Sequence, residues 1–543
     1  MSTQRSVLYR GGSVYSPADP FATAMLVSGD TVAWVGSDDA AAGHAVNADE
    51  VVELDGALVA PAFVDAHVHT TETGLSLTTL DLHGTTSLAQ VLRQVEDAAR
   101  QAAGRPVLGH GWDERGWPEG RAPTRAELDR ASYGGSVYLA RVDVHSAVVS
   151  SSLAAAARLR DHEGWHEDGR VERAAHHVAR DATRSALSPG RRTDLQRLAL
   201  RAAAAAGIGC VHEMSAPHIG TDDDLRGLLA LAQDEPLPAV IAYRGELATD
   251  EAGVRAVLGR IGVPLRGLAG DLCADGSIGS RTAALRAPYA DAPGTSGHGY
   301  LSAEQVQAHV VACTAADVQA GFHVIGDAAT DAVVAGLVGA AEQVGEAALR
   351  RARHRLEHVE MVDADAIAVL ARLGVHASVQ PVFDAWWGGR EGMYAERLGT
   401  KRAAGMNPFA ALAAAGVPLA MGSDSPVTPF SPWAAVGASA FHHDERWRTS
   451  ARAAFLAHTR GGWRAVGVDD GGVLVPGSAA TYAVWERADL VVQAPDDRIQ
   501  AWSTDARSGT PGLPDLTPGT ALPACLRTVV RGVQVHDAGA LSR

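Results

Sequence analysis

Residues 61–70 read PAFVDAHVHT. A run of apolar residues leads to Asp65, and His67 and His69 follow with one valine between them. Residues i and i+2 of a strand face the same side, so one metal ion can reach both imidazoles. The same pair also suits a polar strand end in solvent, so its surroundings must decide. Similar runs recur at 208–214 (IGCVHEM), 238–244 (PAVIAYR), 268–274 (LAGDLCA), 320–326 (AGFHVIG), 353–359 (RHRLEHV), 374–380 (GVHASVQ) and 417–423 (VPLAMGS). With 61–67 they make eight. Helical stretches such as 193–206, 303–319 and 331–349 lie between most of them. Buried strands alternating with helices predict an α/β protein with a parallel sheet, and eight of them predict a closed (β/α)8, TIM-like barrel.

Both ends of the chain have a different texture. Residues 1–60 read as short strands with Gly-Gly, Gly-Asp and Asp-Gly turns, and 479–487 (AATYAVWER) and 524–539 resemble them. The ends are expected to pair into one small β-sandwich domain, 1–60 with 472–543, around a barrel at 61–471.

One interval is too long. About 140 residues separate the first two barrel strands, far more than a βα unit needs. A helix is expected at 87–103, opened by a Ser87…Gln90 capping box, and another behind the box Thr124…Glu127. Strand-like runs lie at 106–110 and 136–141. Counting 136–141 into the barrel would make nine strands, so the interval, about 75–195, is expected to be a cap inserted after strand one. Its polar run 160–181, with His162, His166, His176 and His177, reads as a solvated face.

Composition narrows the function. The net charge of −16 disfavours nucleic acid and anionic membranes as partners. No stretch approaches about 18 apolar residues, and the N-terminus has no apolar leader, so a cytoplasmic protein with a small-molecule substrate is expected. Cys210, Cys273, Cys313 and Cys525 are scattered, which argues against a disulfide framework or a zinc knuckle.

Barrel enzymes carry their chemistry at the C-terminal strand ends. Strand one ends in His67 and His69, strand five carries His323, strand six His358, and strand eight ends in GSDSP with Asp424. Singly, each has an ordinary reading. His323 and His358 suit a core, and Asp424 suits an Asx turn before Pro426. Jointly, four imidazoles and a carboxylate at one mouth suit Zn2+ or a similar divalent ion.

These residues resemble a known family. PAFVDAHVH, HVIGD, RHRLEHVE and GSDSPV are similar to the amidohydrolase superfamily, and specifically to its amidohydrolase-3 branch, which includes N-substituted formamide deformylase. Further matches are GWDERGWPEGRAPTRAELDRA at 111–131, DVHSAVVSSSLAAA at 143–156 and DGSIGSRTAAL at 275–285. The resemblance spans nearly the whole chain. It implies that His67, His69, His323 and His358 bind a centre of one or two ions, with Asp424 as ligand and general base. It also implies a hydrolase of amide, formamide or cyclic amide C–N bonds, and a homodimer. Esters cleaved on the same site, or a metal-poor binding protein on this scaffold, are the competing readings. Trp112, Asp113, His145 and Arg281 are the expected substrate contacts.

The chain departs from that pattern once. Many relatives carry a lysine, thought to be carboxylated and to bridge two ions, four residues before the Asp-Gly of strand four. Here the position is Asp271, and Lys401, between strands seven and eight, is the only lysine in the chain. Asp271 has three readings: a bridge between two ions, a ligand of a single ion, or an orienting partner of a histidine. Glu213, at the end of strand two, is a further candidate ligand.

Overall fold

The computed structural model describes residues 5–102, 104–185, 187–493, 502–503 and 511–542. Residue 103, the expected end of the 87–103 helix, and 1–4, 494–501, 504–510 and 543 of the expected terminal domain lie outside them.

Eight parallel strands form one sheet. In chain order they are β1 (Phe63–Val68), β2 (Ile208–Ser215), β3 (Ala239–Arg244), β4 (Gly267–Leu268), β5 (Gln319–Val324), β6 (Arg355–His358), β7 (His376–Val379) and β8 (Leu419–Met421). All eight expected runs are strands, and spatial order follows chain order. The ring closes where Val68 bridges Ser425 in parallel and Asp65 Oδ1 accepts from the Ser423 amide at 2.8 Å. Gly422 permits this approach, because a Cβ there would lie 2.6 Å from the His67 nitrogen. The strands are buried on both faces, one against the helices and one inside the barrel, which is why they read as apolar runs.

The barrel interior is not wholly apolar. The Arg355 guanidinium stacks 4.8 Å from the Tyr243 ring, and the Tyr243 hydroxyl donates to Gln319 at 2.6 Å. This polar column is fully buried and forms a floor beneath the mouth.

The termini contribute a four-stranded sheet from residues 6–53 and a five-stranded sheet. In the latter, Leu58–Pro61 pairs antiparallel with Tyr482–Trp485, so both ends share it. The two sheets enclose a common core that includes Tyr9, Val52, Val59, Tyr482 and Val484, and the Tyr482 hydroxyl donates to Tyr9 at 2.9 Å.

The interval after β1 builds its own α/β layer. Leu80–Asp81, Val107–Trp112, Val137–Arg141, Ser146–Val149 and Arg170–Glu172 form a five-stranded sheet. Helices Leu88–Ala102 and Arg125–Ala131 bury Leu88, Val91, Val95 and Leu128 in its core. Thr124 and Glu127 form a complete capping box. The Ser87 box is half made: Ser87 Oγ accepts from the Gln90 amide, but Gln90 Oε1 turns to the Thr86 amide. A third helix, Arg173–Arg184, lies over the barrel mouth. Its placement corrects the solvated-face expectation for His176 and His177. His176 is buried against the Tyr138 hydroxyl at 2.8 Å, and His177 lines the cavity below.

Among the described residues no single helix is long and apolar enough to cross a membrane, although one bent pair, Asp327–Val344 with Glu346–Ala352, passes on length and composition. All four cysteines are free thiols.

Candidate metal centre

Each candidate ligand sits where a strand stops. His67 is the fifth residue of β1, and His69 follows its end. Beyond β4 the chain runs irregularly through Asp271. It is pinned to β5 by the Ala274 amide donating to the His323 carbonyl at 2.8 Å and the His323 amide donating to Leu272 at 3.1 Å. His358 (φ 70°) and Asp424 (φ 57°) close β6 and β8 in the left-handed region, which non-glycine residues rarely occupy. Such strain is tolerated where surrounding structure dictates the conformation, and it aims both side chains inward.

The side chains converge. His67 Nε2 lies 3.4 Å from Asp271 Oδ1 and 3.4 Å from Asp424 Oδ1. His69 Nε2 lies 3.4 Å from Asp271 Oδ2 and 3.1 Å from Asp424 Oδ1. His323 Nδ1 is 3.9 Å from Asp271 Oδ1, and the His323 and His358 rings are 4.5 Å apart. Three triads have ligand atoms within 4.8 Å of one another: His67, His69 and Asp271; Asp271, His323 and His358; and His67, His358 and Asp424. His67, His358 and Asp271 each belong to two of them, and Asp271 is the carboxylate so shared.

Partners behind the ligands fix the ring orientations. His67 Nδ1 donates to Glu357 Oε2 at 2.9 Å, and Glu357 is held by Arg355 at 2.6 Å. His358 Nδ1 donates to Gln380 Oε1 at 2.8 Å. Both contacts leave Nε2 facing the centre. Burial alone would lower the His67 pKa, but the carboxylates of Asp424, Asp271 and Glu357 outweigh it and raise it. Burial and the neighbouring His323 and His67 hold His358 well below the usual imidazole range.

Glu213 lies outside the ligand triads. Its Oε2 accepts from the Thr70 amide at 2.8 Å, securing the backbone just after His69. Glu357 was not anticipated, although Arg355 and Glu357 stand at i and i+2 on one face of a fully buried strand, the pattern of an inward-facing ion pair.

A cavity of about 310 Å³ opens above the centre. The barrel contributes His69, Asp271 and Cys273 to it, and the insertion contributes His145, His177 and Arg180. A smaller lobe is walled by Phe383, Trp387, Met393 and Val427. Of the four expected substrate contacts, only His145 lines these spaces. Its ring lies 5.3 Å from that of His323, and burial lowers its pKa to about 4, so it is neutral near pH 7. The other three are corrected. Trp112 is buried in the insertion core, its Nε1 donating to the Leu139 carbonyl at 2.9 Å. Asp113 caps a short turn and pairs with Arg115 at 2.5 Å. Arg281 pairs with Asp291 at 2.5 Å and fixes the loop after β4.

The donor set fits a divalent cation. His67 Nε2 and one carboxylate oxygen each of Asp271 and Asp424 are buried with no hydrogen-bond partner. Unpaired buried polar atoms aimed at one point are costly unless a cation satisfies them.

Barrel and centre together define a metal-dependent hydrolase. The chain belongs to the amidohydrolase family, whose family model matches residues 50–536. Among solved structures, an uncharacterized metal-dependent hydrolase from Pyrococcus furiosus is similar with a TM-score of 0.68 and 26% identity, covering 88% of this chain and 98% of that one. The protein LONG AFTER FAR-RED 3 of Arabidopsis thaliana is 26% identical over 518 residues, 88% of this chain and 86% of its own. N-substituted formamide deformylase of Arthrobacter pascens is 29% identical over 155 residues, 28% of this chain and 29% of its own.

Proposed function

We propose that the protein hydrolyses a C–N bond of an amide, formamide or cyclic amide, using one or two divalent ions, Zn2+ foremost, held by His67, His69, Asp271, His323, His358 and Asp424. The observation that carries this reading is the set of three linked ligand triads at the barrel mouth, in which Asp271 is the shared carboxylate. Its Oδ1 faces His67 and His323 and its Oδ2 faces His69, which favours Asp271 as a bridge over the other two roles open to it. The similarity to a formamide deformylase supports a C–N bond over an ester.

An ion held there supplies Lewis acidity and lowers the pKa of a water molecule. Asp424 is buried at the centre, its Oδ1 3.1 Å from His69 Nε2, where it would take a proton from the attacking water and pass it to the leaving nitrogen. The neutral His145 imidazole is a donor available to the carbonyl oxygen as negative charge develops there. Glu357 and Gln380 keep His67 and His358 from rotating away.

The test is a screen of N-formyl, N-acyl and cyclic amides with Zn2+- or Mn2+-reconstituted protein, alongside metal analysis. Hydrolysis should appear with the ion and fall at least about 10²-fold, the low end of a general base's contribution, in Asp424→Asn. A protein that binds less than one ion per chain and gains no activity from either metal is not a hydrolase of this kind.

A further inference from the structure

The cavity has a wall that the hydrolytic reading does not use. Helix Arg173–Arg184 forms it and carries three arginines, of which Arg173 and Arg180 line the cavity and Arg184 is buried behind it. Arg173 is bound to Glu163 at 2.6 Å, and Arg184 to Glu72 at 2.6 Å. Arg180, between them, makes no ion pair or side-chain hydrogen bond among the described residues, and its Nε is buried without a partner. The charged and titratable groups around it are Arg184, Tyr138, Glu72 and Asp181, together with His176, His177, His218 and Cys273. Glu72 is already committed to Arg184, and Asp181 is exposed.

The flanking side chains add no charge. His177 stacks on His218 at 4.7 Å, and burial keeps both imidazoles far below their usual range and therefore neutral. Arg173, Glu72 and Glu246 also line the cavity but are paired with Glu163, Arg184 and Arg260, which leaves Arg180, beside uncharged imidazoles, as its lining cation without a counter-ion among the described residues, while the carboxylates Asp271 and Asp424 gather at the centre.

Arg180 is half-buried, so its guanidinium is partly withdrawn from water with no counter-ion to offset the loss, and an anion entering the cavity would supply one. Its planar fork matches a carboxylate through two parallel hydrogen bonds. Its place away from the ligand triads suits an anchor for the end of a molecule whose reacting bond lies at the centre. A cavity of about 310 Å³ holds a small molecule of that length.

We propose that Arg180 binds a carboxylate of the substrate, so that the protein selects small carboxylate-bearing amides. This rests on the hydrolase reading of the same site.

Isothermal titration calorimetry of the metal-loaded protein tests it, with diacids from malonate to adipate as probes, each beside its monomethyl ester. The best-fitting diacid should bind at least about tenfold more tightly than its ester, because the ester removes one side of a buried charge pair. Arg180→Met should abolish that preference, and Arg180→Lys should retain part of it, with the melting curve and metal content of both variants unchanged. A wild type that ignores the second carboxylate at every length overturns the proposal, as does an Arg180→Met variant that keeps the preference. Inorganic phosphate is titrated in parallel; phosphate bound more tightly than any diacid, and lost in Arg180→Met, reassigns Arg180 to a phosphoryl group and equally overturns it. Calorimetry reads binding, not turnover. A protein that selects diacids through Arg180 yet holds no ion sinks the hydrolase reading alone. A metal-loaded, hydrolytic protein indifferent to Arg180 sinks this proposal alone.

Discussion

Glu357 accepts a hydrogen bond from His67 Nδ1 at 2.9 Å, and neither side chain exposes any surface. Arg355, also wholly buried, grips the same carboxylate. A strand-six ion pair therefore sets the tautomer of a strand-one histidine from inside the barrel.

Removing that carboxylate should act twice. Glu357→Gln keeps the shape but loses the charge, and is expected to weaken metal binding by about 10- to 100-fold, as outer partners of metal-binding histidines commonly do. Competition with a chelator reads this directly. Glu357→Ala strands the Arg355 guanidinium in the barrel and should cost about 3–5 kcal/mol of stability in denaturant unfolding. Unchanged metal affinity in Glu357→Gln would falsify the orienting role.

Asp271 is the carboxylate shared by two triads, with an oxygen facing each side, so its loss should change ion count rather than affinity alone. Wild type is expected to bind two ions per chain across a zinc titration and Asp271→Ala at most one, by elemental analysis. Equal stoichiometry in both proteins would leave Asp271 as an ordinary ligand or an orienting residue.

Trp112 and Arg281 should behave as structural residues. Trp112→Ala empties a core position and should cost about 3–5 kcal/mol, in the range for buried aromatic truncations. Arg281→Gln should loosen the Asp291 contact while leaving KM for the screened substrates unchanged. A KM shift in a well-folded Arg281→Gln protein would return that residue to the substrate.

His354 gives a pH signature away from the centre. Its Nδ1 accepts from the Ala320 amide at 2.9 Å, and burial lowers its pKa to about 3, against about 6.5 for an unfolded histidine. Between those values the unfolded chain binds more protons than the native one. The contribution of His354 is complete above about pH 6.5 and fades as pH falls towards 3. The stability gap between wild type and His354→Gln should accordingly be largest at pH 8 and shrink at pH 5, measured by urea unfolding. A gap independent of pH contradicts it.

Much of this was readable beforehand because barrel strands buried on both faces leave uninterrupted apolar runs, and ligands at their ends recur in register. The misreadings share a physical cause. An acidic residue such as Glu357 looks solvent-facing unless its internal partner is recognised. His176 and His177 lie on a helix whose apolar face is only small residues such as Ala175 and Ala179, and a helix facing a polar cavity reads the same as one facing water. Trp112, Asp113 and Arg281 stand in recognisable motifs, yet their roles are set by the Leu139 carbonyl, Arg115 and Asp291, and nothing in a motif names its packing partner.

Lys401 lies exposed on the short helix Thr400–Ala403, distant in the chain from every ligand. A lysine becomes a bridging carboxylate only after reacting with carbon dioxide, whereas Asp271 carries its oxygens from the moment of synthesis. If Asp271 fills the bridging place proposed above, assembly of this centre should require metal and no bicarbonate.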